Sequence, residues 1–327
     1  MEIVKAEILW TRKCPLSCEY CNMATGQGNS LTAKQWMKGI DNLKAIHCQF
    51  IAFYGAEPLC DFDKLPEVVG YAESIGIHTT VITSGTAYDA KTKVKELYDN
   101  GAKSLSVSYD IDVGGLSAGK KMNNGMKVLL YWKEFPNIRD AATITTLTAL
   151  NYTKFAKHVI NMSSMGIWSL FDLIHPDRGQ EGSKCKDFDG IKDLLFHGKH
   201  LMGLVAEIPV YKWLKREGYR IHASNHFLDM IVAEPLRIAT YSWNCSHYKE
   251  FPSWVTIDCD GTVMPCDDFH VKHRWDVKIH KIDDWVIWKH KWKNWIKKDC
   301  PGCMWNTHID AHAIKSGKIP ISDYVHT

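Results

Sequence analysis

Six short apolar runs, each followed by a stretch with helical periodicity, organise the first two hundred residues of this chain. Residues 4–11 (VKAEILWT), 48–54 (CQFIAFY), 77–84 (IHTTVITS), 103–109 (KSLSVSY), 140–148 (DAATITTLT) and 168–174 (WSLFDLI) read as strands. Helices are predicted at 31–46, 63–76, from Asp89 to Gly101, at 118–134, at about 152–165 and at about 189–203. Trp36, Ile40 and Leu43 share one face of the first helix, Gly76 suits a helix stop, and Asp89 suits an N-cap ahead of Val94, Leu97 and Tyr98. Repeated strand–helix units require parallel strands with helices outside, and eight of them would close a full barrel.

The first strand runs into the segment TRKCPLSCEYCN, in which Cys14, Cys18 and Cys21 are spaced C-x3-C-x2-C. Three thiolates on one short loop can hold three irons of a 4Fe–4S cluster and leave the fourth iron without a protein ligand. A cluster kept for electron transfer usually takes four cysteines, so a three-cysteine loop points to chemistry at the open iron. A structural zinc site needs four ligands. The nearest candidates, His47 and Cys48, read as a helix end and a strand start.

Together with Tyr20 and the turn Gly55-Ala56-Glu57-Pro58, these cysteines resemble the radical S-adenosylmethionine (radical SAM) superfamily. The resemblance implies that SAM chelates the open iron through its amino and carboxylate groups. An electron from the cluster then yields a 5′-deoxyadenosyl radical that abstracts hydrogen from carbon. It also implies a partial, open (β/α)6 TIM-type barrel, with its active site at the C-terminal strand ends. The cysteine loop, the GAEP turn, Ser84, Ser108, Asp110, Thr148 and His175 all fall there. The family's Gly-Gly-Glu-Pro pattern has alanine here at position 56.

As implied by the resemblance, Gly55, Ala56 and Glu57 contact SAM, with Glu57 on its amino group, and Tyr20 lies against adenine. Ser84, Ser108, Asp110 and Asn151 are further cofactor-binding candidates, although a polar residue at a strand end is commonly a helix cap. Cys60, three residues after Glu57, and Cys185, in the polar loop PDRGQEGSKCKD, are candidate catalytic thiols able to return hydrogen to a substrate radical. Each can equally be an ordinary loop cysteine. Cys48 reads as core.

A second set, Cys245, Cys266, Cys300 and Cys303, occupies the last third. The sequence WVTIDCDGTVMPC predicts a β-hairpin turning at Asp260-Gly261 and delivering Cys266, with Cys259 a spare thiol within it. The set resembles the SPASM/twitch extension, in its one-cluster form, which implies a second, auxiliary 4Fe–4S cluster. By ligand count alone a zinc ribbon fits as well. A helix at 283–297 carries Trp285, Trp288, Trp292 and Trp295 along one face, read as a packed face opposite solvated lysines. The expected division is a barrel at 1–204, a linking helical segment at 205–240 over the barrel's open side, and an auxiliary cluster domain at 241–327.

The eleven cysteines, with no signal-like apolar segment at the N-terminus, point to metal ligands in a reducing cytoplasm more than to disulfides. No stretch approaches the roughly 20 apolar residues of a membrane span. A net charge of +3 is too small to argue nucleic-acid binding. The resulting expectation is a SAM-cleaving oxidoreductase acting on a peptide or small molecule, served by a reductant such as flavodoxin or ferredoxin. A redox-neutral epimerase and a non-enzymatic iron–sulfur or zinc protein are the alternatives.

Overall fold

The computed structural model describes residues 3–111, 122–176, 185–243, 245, 253–266, 277–282, 285–298, 300 and 302–321. Strands β1 (Lys5–Thr11), β2 (Phe50–Gly55), β3 (His78–Thr83), β4 (Ser104–Ser108), β5 (Asp140–Leu147) and β6 (Trp168–Leu173) alternate with helices α1 (Ala33–Ala45), α2 (Leu65–Ser74), α3 (Ala90–Asp99), α4 (Met122–Trp132) and α5 (Phe155–Ser164). Each predicted strand is present, and each pairs in parallel with its predecessor. The start of the helix expected at 118–134 lies outside the described residues.

The six barrel strands and the two hairpin strands form one sheet in the order β6-β5-β4-β3-β2-β1-β7-β8. The predicted hairpin forms as β7 (Trp254–Ile257) and β8 (Val263–Met264), and β7 lies parallel to β1 with Glu7 opposite Thr256. The hairpin therefore extends the barrel sheet. Its turn rests on Gly261, whose φ of +78° favours glycine.

Two local expectations are corrected. Asp89 precedes α3 but is left-handed (φ 53°), and its side chain makes no capping bond. The helix expected at 189–203 is broken. A short α6 (Phe188–Ile191) and a 3₁₀ turn end at extended Leu195, and α7 (Gly198–Arg216) starts afresh. The break has a cause: Leu194, Leu195 and Phe196 enter the core, and the Leu194 carbonyl accepts from the Ala149 N–H (2.8 Å) at the end of β5.

Helices α8 (Asn225–Ala233) and α9 (Pro235–Thr240) follow, then α10 (Trp285–Lys298) and α11 (Asn306–Lys315). Residue Ile221 bridges to Ser169 at the β6 edge. Helix α11 packs against both β6 and β7, and Asn306 Nδ2 donates to the Phe171 carbonyl at 2.7 Å. Along α10, Trp288, Trp292 and Trp295 are buried and Lys291 is exposed, but Trp285, Lys289 and Lys293 are half-buried and Val286 and Ile287 are exposed.

The core lies on both sides of the helical layer's contact with the sheet. Trp10 and Trp36 pack with ring centroids 5.4 Å apart between β1 and α1, and Phe53 meets Trp10 edge-on at 5.9 Å. Inside the barrel the strands carry small and polar residues at alternate positions: Ala52, Thr80, Ser106 and Ala142. That leaves the lumen open.

Candidate active site

A cavity of about 730 Å³ opens at the C-terminal strand ends. It is lined by Cys14, Cys18, Cys21 and Tyr20 from the cysteine loop, by Gly55 and Ala56, by Ser84, Ser108 and Asp110, and by Cys185. Ten of the sequence-derived candidates thus share one wall system. The loop is closed at its base by Arg12 and Gln27: the Arg12 N–H donates to the Gln27 carbonyl (2.8 Å) and the Gly26 N–H to the Arg12 carbonyl (3.0 Å). Tyr20 Oη donates to Asp110 Oδ2 at 2.5 Å, tying the loop to the end of β4. The Lys186 N–H donates to the Tyr20 carbonyl (3.0 Å), which brings the Cys185 segment to the same mouth.

Of the three thiols, Cys14 and Cys21 accept backbone hydrogen bonds. Backbone N–H groups of Leu16 and Met23 point at Cys14 Sγ and Cys21 Sγ, each at 3.4 Å. Such donors stabilise sulfur-borne charge and tune cluster potential. Burial pushes the Cys14 thiol up to about 11, with Glu57, Cys21 and Cys18 adding in the same sense. A bound cation inverts that logic and deprotonates its thiols outright. Among the described residues no three Cys, His, Asp or Glu side chains converge on a point suited to one metal ion. Ligands of a 4Fe–4S cube bind different irons, so they need not converge on one point.

In the GAEP turn the residue with positive φ is Gly55 (+143°), and a Cβ there would fall 2.5 Å from the Thr11 carbonyl oxygen. Only glycine allows β1 and β2 to end this close. Ala56 is absent from the positive-φ residues.

The structure places Glu57 otherwise than the resemblance implies. Its side chain is fully buried and does not line the cavity. Oε1 accepts from Leu59 N–H (3.1 Å) and Thr83 Oγ1 (2.6 Å), and Oε2 from Ser84 N–H (2.8 Å) and the Ser84 hydroxyl. The carboxylate thereby fixes the end of β3 and holds the Ser84 backbone and hydroxyl beside the cavity wall. Asn151 is also buried and off the wall. Its amide accepts from Thr148 N–H (2.8 Å) and donates to the Thr146 carbonyl (3.0 Å), so it holds the turn after β5. Cys60 is half-buried and lies outside the cavity lining. Cys48 is core, its thiol pushed up to about 12 by burial.

The far wall was not singled out from sequence. It comprises the Lys5–Glu7 ion pair (3.4 Å) at the floor, then Thr80, Ser106, Thr146, Asp172, Asn306 and Thr307. Thr146 and Asp172 are register partners on β5 and β6. The signal was present in the period-two alternation of Ser104, Ser106 and Ser108 with Leu105 and Val107, and in two charges inside apolar β1.

The C-terminal cysteines come from three segments. The Cys303 N–H donates to the Trp243 carbonyl (2.8 Å), which sets the segments of Cys245 and Cys303 side by side. Cys266 follows β8, and Trp292 Nε1 donates to the preceding Pro265 carbonyl at 3.4 Å. The Gly302 N–H donates to Cys300 Sγ at 3.4 Å. Cys245 and Cys303 are buried, Cys266 and Cys300 half-buried. Cys259 lies in the hairpin turn, its thiol pushed up to about 11 by burial and pulled the other way by Arg12.

The family model "Radical SAM superfamily" matches residues 8–112, the segment that carries the cysteine loop and β1 to β4. The match covers about a third of this chain and supports a likeness to that superfamily over this segment. The chain is 32% identical over 102 residues to a PqqA peptide cyclase from Bradyrhizobium diazoefficiens, covering 30% of this chain and 26% of that protein. The matched part is thus about a quarter of that relative's length. In fold the chain is similar to Streptococcus suis SuiB bound to S-adenosylmethionine, with a TM-score of 0.66 at 15% identity, covering 88% of this chain and 66% of that one. SuiB has also been solved with its precursor peptide SuiA. The chain is likewise similar to anSMEcpe with bound AdoMet, with a TM-score of 0.59 at 15% identity, covering 96% and 97% of the two chains. These likenesses support the α/β architecture, a partial TIM-type barrel with an added region. No helix among the described residues is long and apolar enough to cross a membrane.

Proposed function

We propose that this protein is a SAM-cleaving radical enzyme that abstracts hydrogen from carbon in a peptide substrate. In this reading Cys14, Cys18 and Cys21 hold a 4Fe–4S cluster with one open iron, and Cys245, Cys266, Cys300 and Cys303 hold a second cluster in a twitch-like region. With SAM bound, the first cluster supplies the electron that generates a 5′-deoxyadenosyl radical. The observation that carries the reading is the shared wall: three thiols, Tyr20, Gly55, Ala56, Ser84, Ser108 and Asp110 around one cavity.

The chain's own residues have distinct tasks there. Tyr20, held by Asp110, lines the cavity and lies against the adenine of SAM in this reading. Ser108 and Asp110 offer hydroxyl and carboxylate partners to ribose or the methionyl part, and Ser84, held by Glu57, shapes the wall beside the GAEP turn. The cavity of about 730 Å³ falls within the range of small-molecule ligand pockets, about 300–1,000 Å³. A peptide substrate is favoured by the names of the relatives, a peptide cyclase and a protein captured with a precursor peptide. A saturated second cluster suits electron acceptance from a substrate radical, and hence an oxidative outcome, with flavodoxin or ferredoxin as the reductant and the cytoplasm as the setting.

One observation favours a redox-neutral variant. Cys185 lines the cavity and is buried, so its thiol can return a hydrogen atom to a substrate radical.

The test is SAM turnover by anaerobically purified, dithionite-reduced protein. The proposal expects 5′-deoxyadenosine and methionine, about eight irons per chain, and faster turnover when a peptide fraction of host-cell extract is added. No 5′-deoxyadenosine above a Cys14→Ala/Cys18→Ala/Cys21→Ala control refutes it. Stoichiometric zinc refutes the second cluster.

A further inference from the structure

Arg12 and Asp258 are 246 residues apart in sequence and form a buried, two-pronged ion pair. Arg12 Nε donates to Asp258 Oδ1 (3.3 Å) and Nη2 to Oδ2 (3.2 Å). Side-chain exposure is 8% for Arg12 and zero for Asp258. The Cys259 N–H also donates to Asp258 Oδ1 (2.8 Å), so the carboxylate is fixed by its own turn. Paired hydrogen bonds between a planar guanidinium and a carboxylate specify direction as well as proximity.

The position of this pair matters more than its existence. Arg12 stands two residues before Cys14, and its backbone closes the base of the cysteine loop against Gln27 and Gly26. Asp258 follows β7 and opens the hairpin turn whose second strand leads to Cys266. Two further contacts join the same parts. The Ser30 N–H donates to the Cys259 carbonyl (3.2 Å), and a Cβ on Gly261 would fall 2.6 Å from Leu31 Cδ1. The β1–β7 pairing, Ile8 opposite Ile257, runs straight into the ion pair. A rigid path thus runs from the SAM-side cysteines to the hairpin that carries a cysteine of the second set.

We infer that the Arg12–Asp258 pair is a positioning latch that couples the first cysteine loop to the C-terminal hairpin, so that the C-terminal cysteine set influences SAM binding at the first. The pair acts through the loop it orients and touches no reacting atom. The inference rests on the reading that both cysteine sets hold clusters.

The test measures SAM affinity by equilibrium dialysis with radiolabelled SAM, together with iron content and the EPR spectrum of the reduced protein with and without SAM. Asp258→Asn keeps the shape of the side chain and removes its charge. It is expected to weaken SAM binding on the order of tenfold and to broaden the SAM-induced EPR change, with the C-terminal iron retained. Cys266→Ser is expected to weaken SAM binding severalfold in the native background and to add nothing in the Asp258→Asn background.

Native SAM affinity in Asp258→Asn overturns the latch, and so does simple multiplication of the two effects. Should Asp258→Asn fold poorly, the apolar double variant Arg12→Met/Asp258→Leu avoids a lone buried charge. Folded by circular dichroism and binding SAM like the native protein, that variant also overturns the latch. Full iron content in the Cys14→Ala/Cys18→Ala/Cys21→Ala variant would instead sink the underlying cluster assignment.

Discussion

Replacing Glu57 by alanine separates two roles for this carboxylate. The family resemblance implies a direct contact with the SAM amino group, whereas the structure buries Glu57 and gives its oxygens to Leu59, Thr83 and Ser84. Glu57→Ala strands two backbone N–H groups, those of Leu59 and Ser84, and frees two hydroxyls. Ser84 Oγ keeps Thr86 Oγ1 at 2.6 Å and Thr83 Oγ1 keeps the Gly85 N–H at 3.0 Å, so the backbone donors carry the cost. A buried unsatisfied donor costs about 1–3 kcal/mol, and the two together, with the cavity, reach about 3–6 kcal/mol. Thermal unfolding of the anaerobically purified protein should then fall by on the order of 10 °C. SAM affinity should fall with it, because the end of β3 beside the cavity is no longer held in place. Glu57→Gln, which keeps the shape but turns an acceptor into a donor, should lie between. A Glu57→Ala protein that melts like the native one yet loses SAM binding would refute the bracing role and restore direct contact.

Three other perturbations give distinct readouts. Gly55→Ala drives a Cβ to 2.5 Å from the Thr11 carbonyl oxygen, so the GAEP turn must shift; SAM affinity by equilibrium dialysis should fall at least about tenfold, and native affinity would contradict the close approach. Burial holds His158 down at about 4 from its ordinary 6.5, so the folded protein keeps it neutral where the unfolded chain binds a proton. Stability it contributes is whole above pH 6.5 and is lost as pH falls through 4, about 3 kcal/mol in all. Denaturation midpoints of His158→Gln should therefore change less across that window than those of the native protein. Cys185→Ala tests the buried cavity thiol: if it returns hydrogen, the variant loses the single deuterium that product gains in heavy water by mass spectrometry, and if the outcome is oxidative no deuterium enters in either protein.

The barrel was legible because its strands and helices obey local rules. Apolar runs of β-branched residues, helix faces such as Trp36, Ile40 and Leu43, and glycine stops all act within a few residues. The cysteine loop was legible because its ligands are contiguous. What escaped the reading is set by distant partners. The hairpin 254–264 reads as a hairpin, but nothing in its pattern says that β7 will lie beside β1. Glu57 reads as a site residue, and its capture by Thr83 and Ser84 depends on how β2 and β3 come to end side by side. The periodicity of 189–203 runs on through Leu195, yet the chain turns inward there because the Leu194 carbonyl serves β5. Asp89 has the chemistry of a cap but the wrong backbone for it. The polar far wall, by contrast, was in plain alternation along β1 and β4 and needed only a count of every second residue.

The central claim is an open iron on the loop of Cys14, Cys18 and Cys21 that SAM occupies directly. Electron–nuclear double resonance on the reduced protein with SAM labelled with nitrogen-15 at its amino group tests this without any substrate. The account predicts a nitrogen-15 hyperfine coupling that persists in a Cys245→Ala/Cys266→Ala variant and disappears in Cys14→Ala/Cys18→Ala/Cys21→Ala. A reduced cluster on the first loop that shows no coupling to the label at saturating SAM would contradict it.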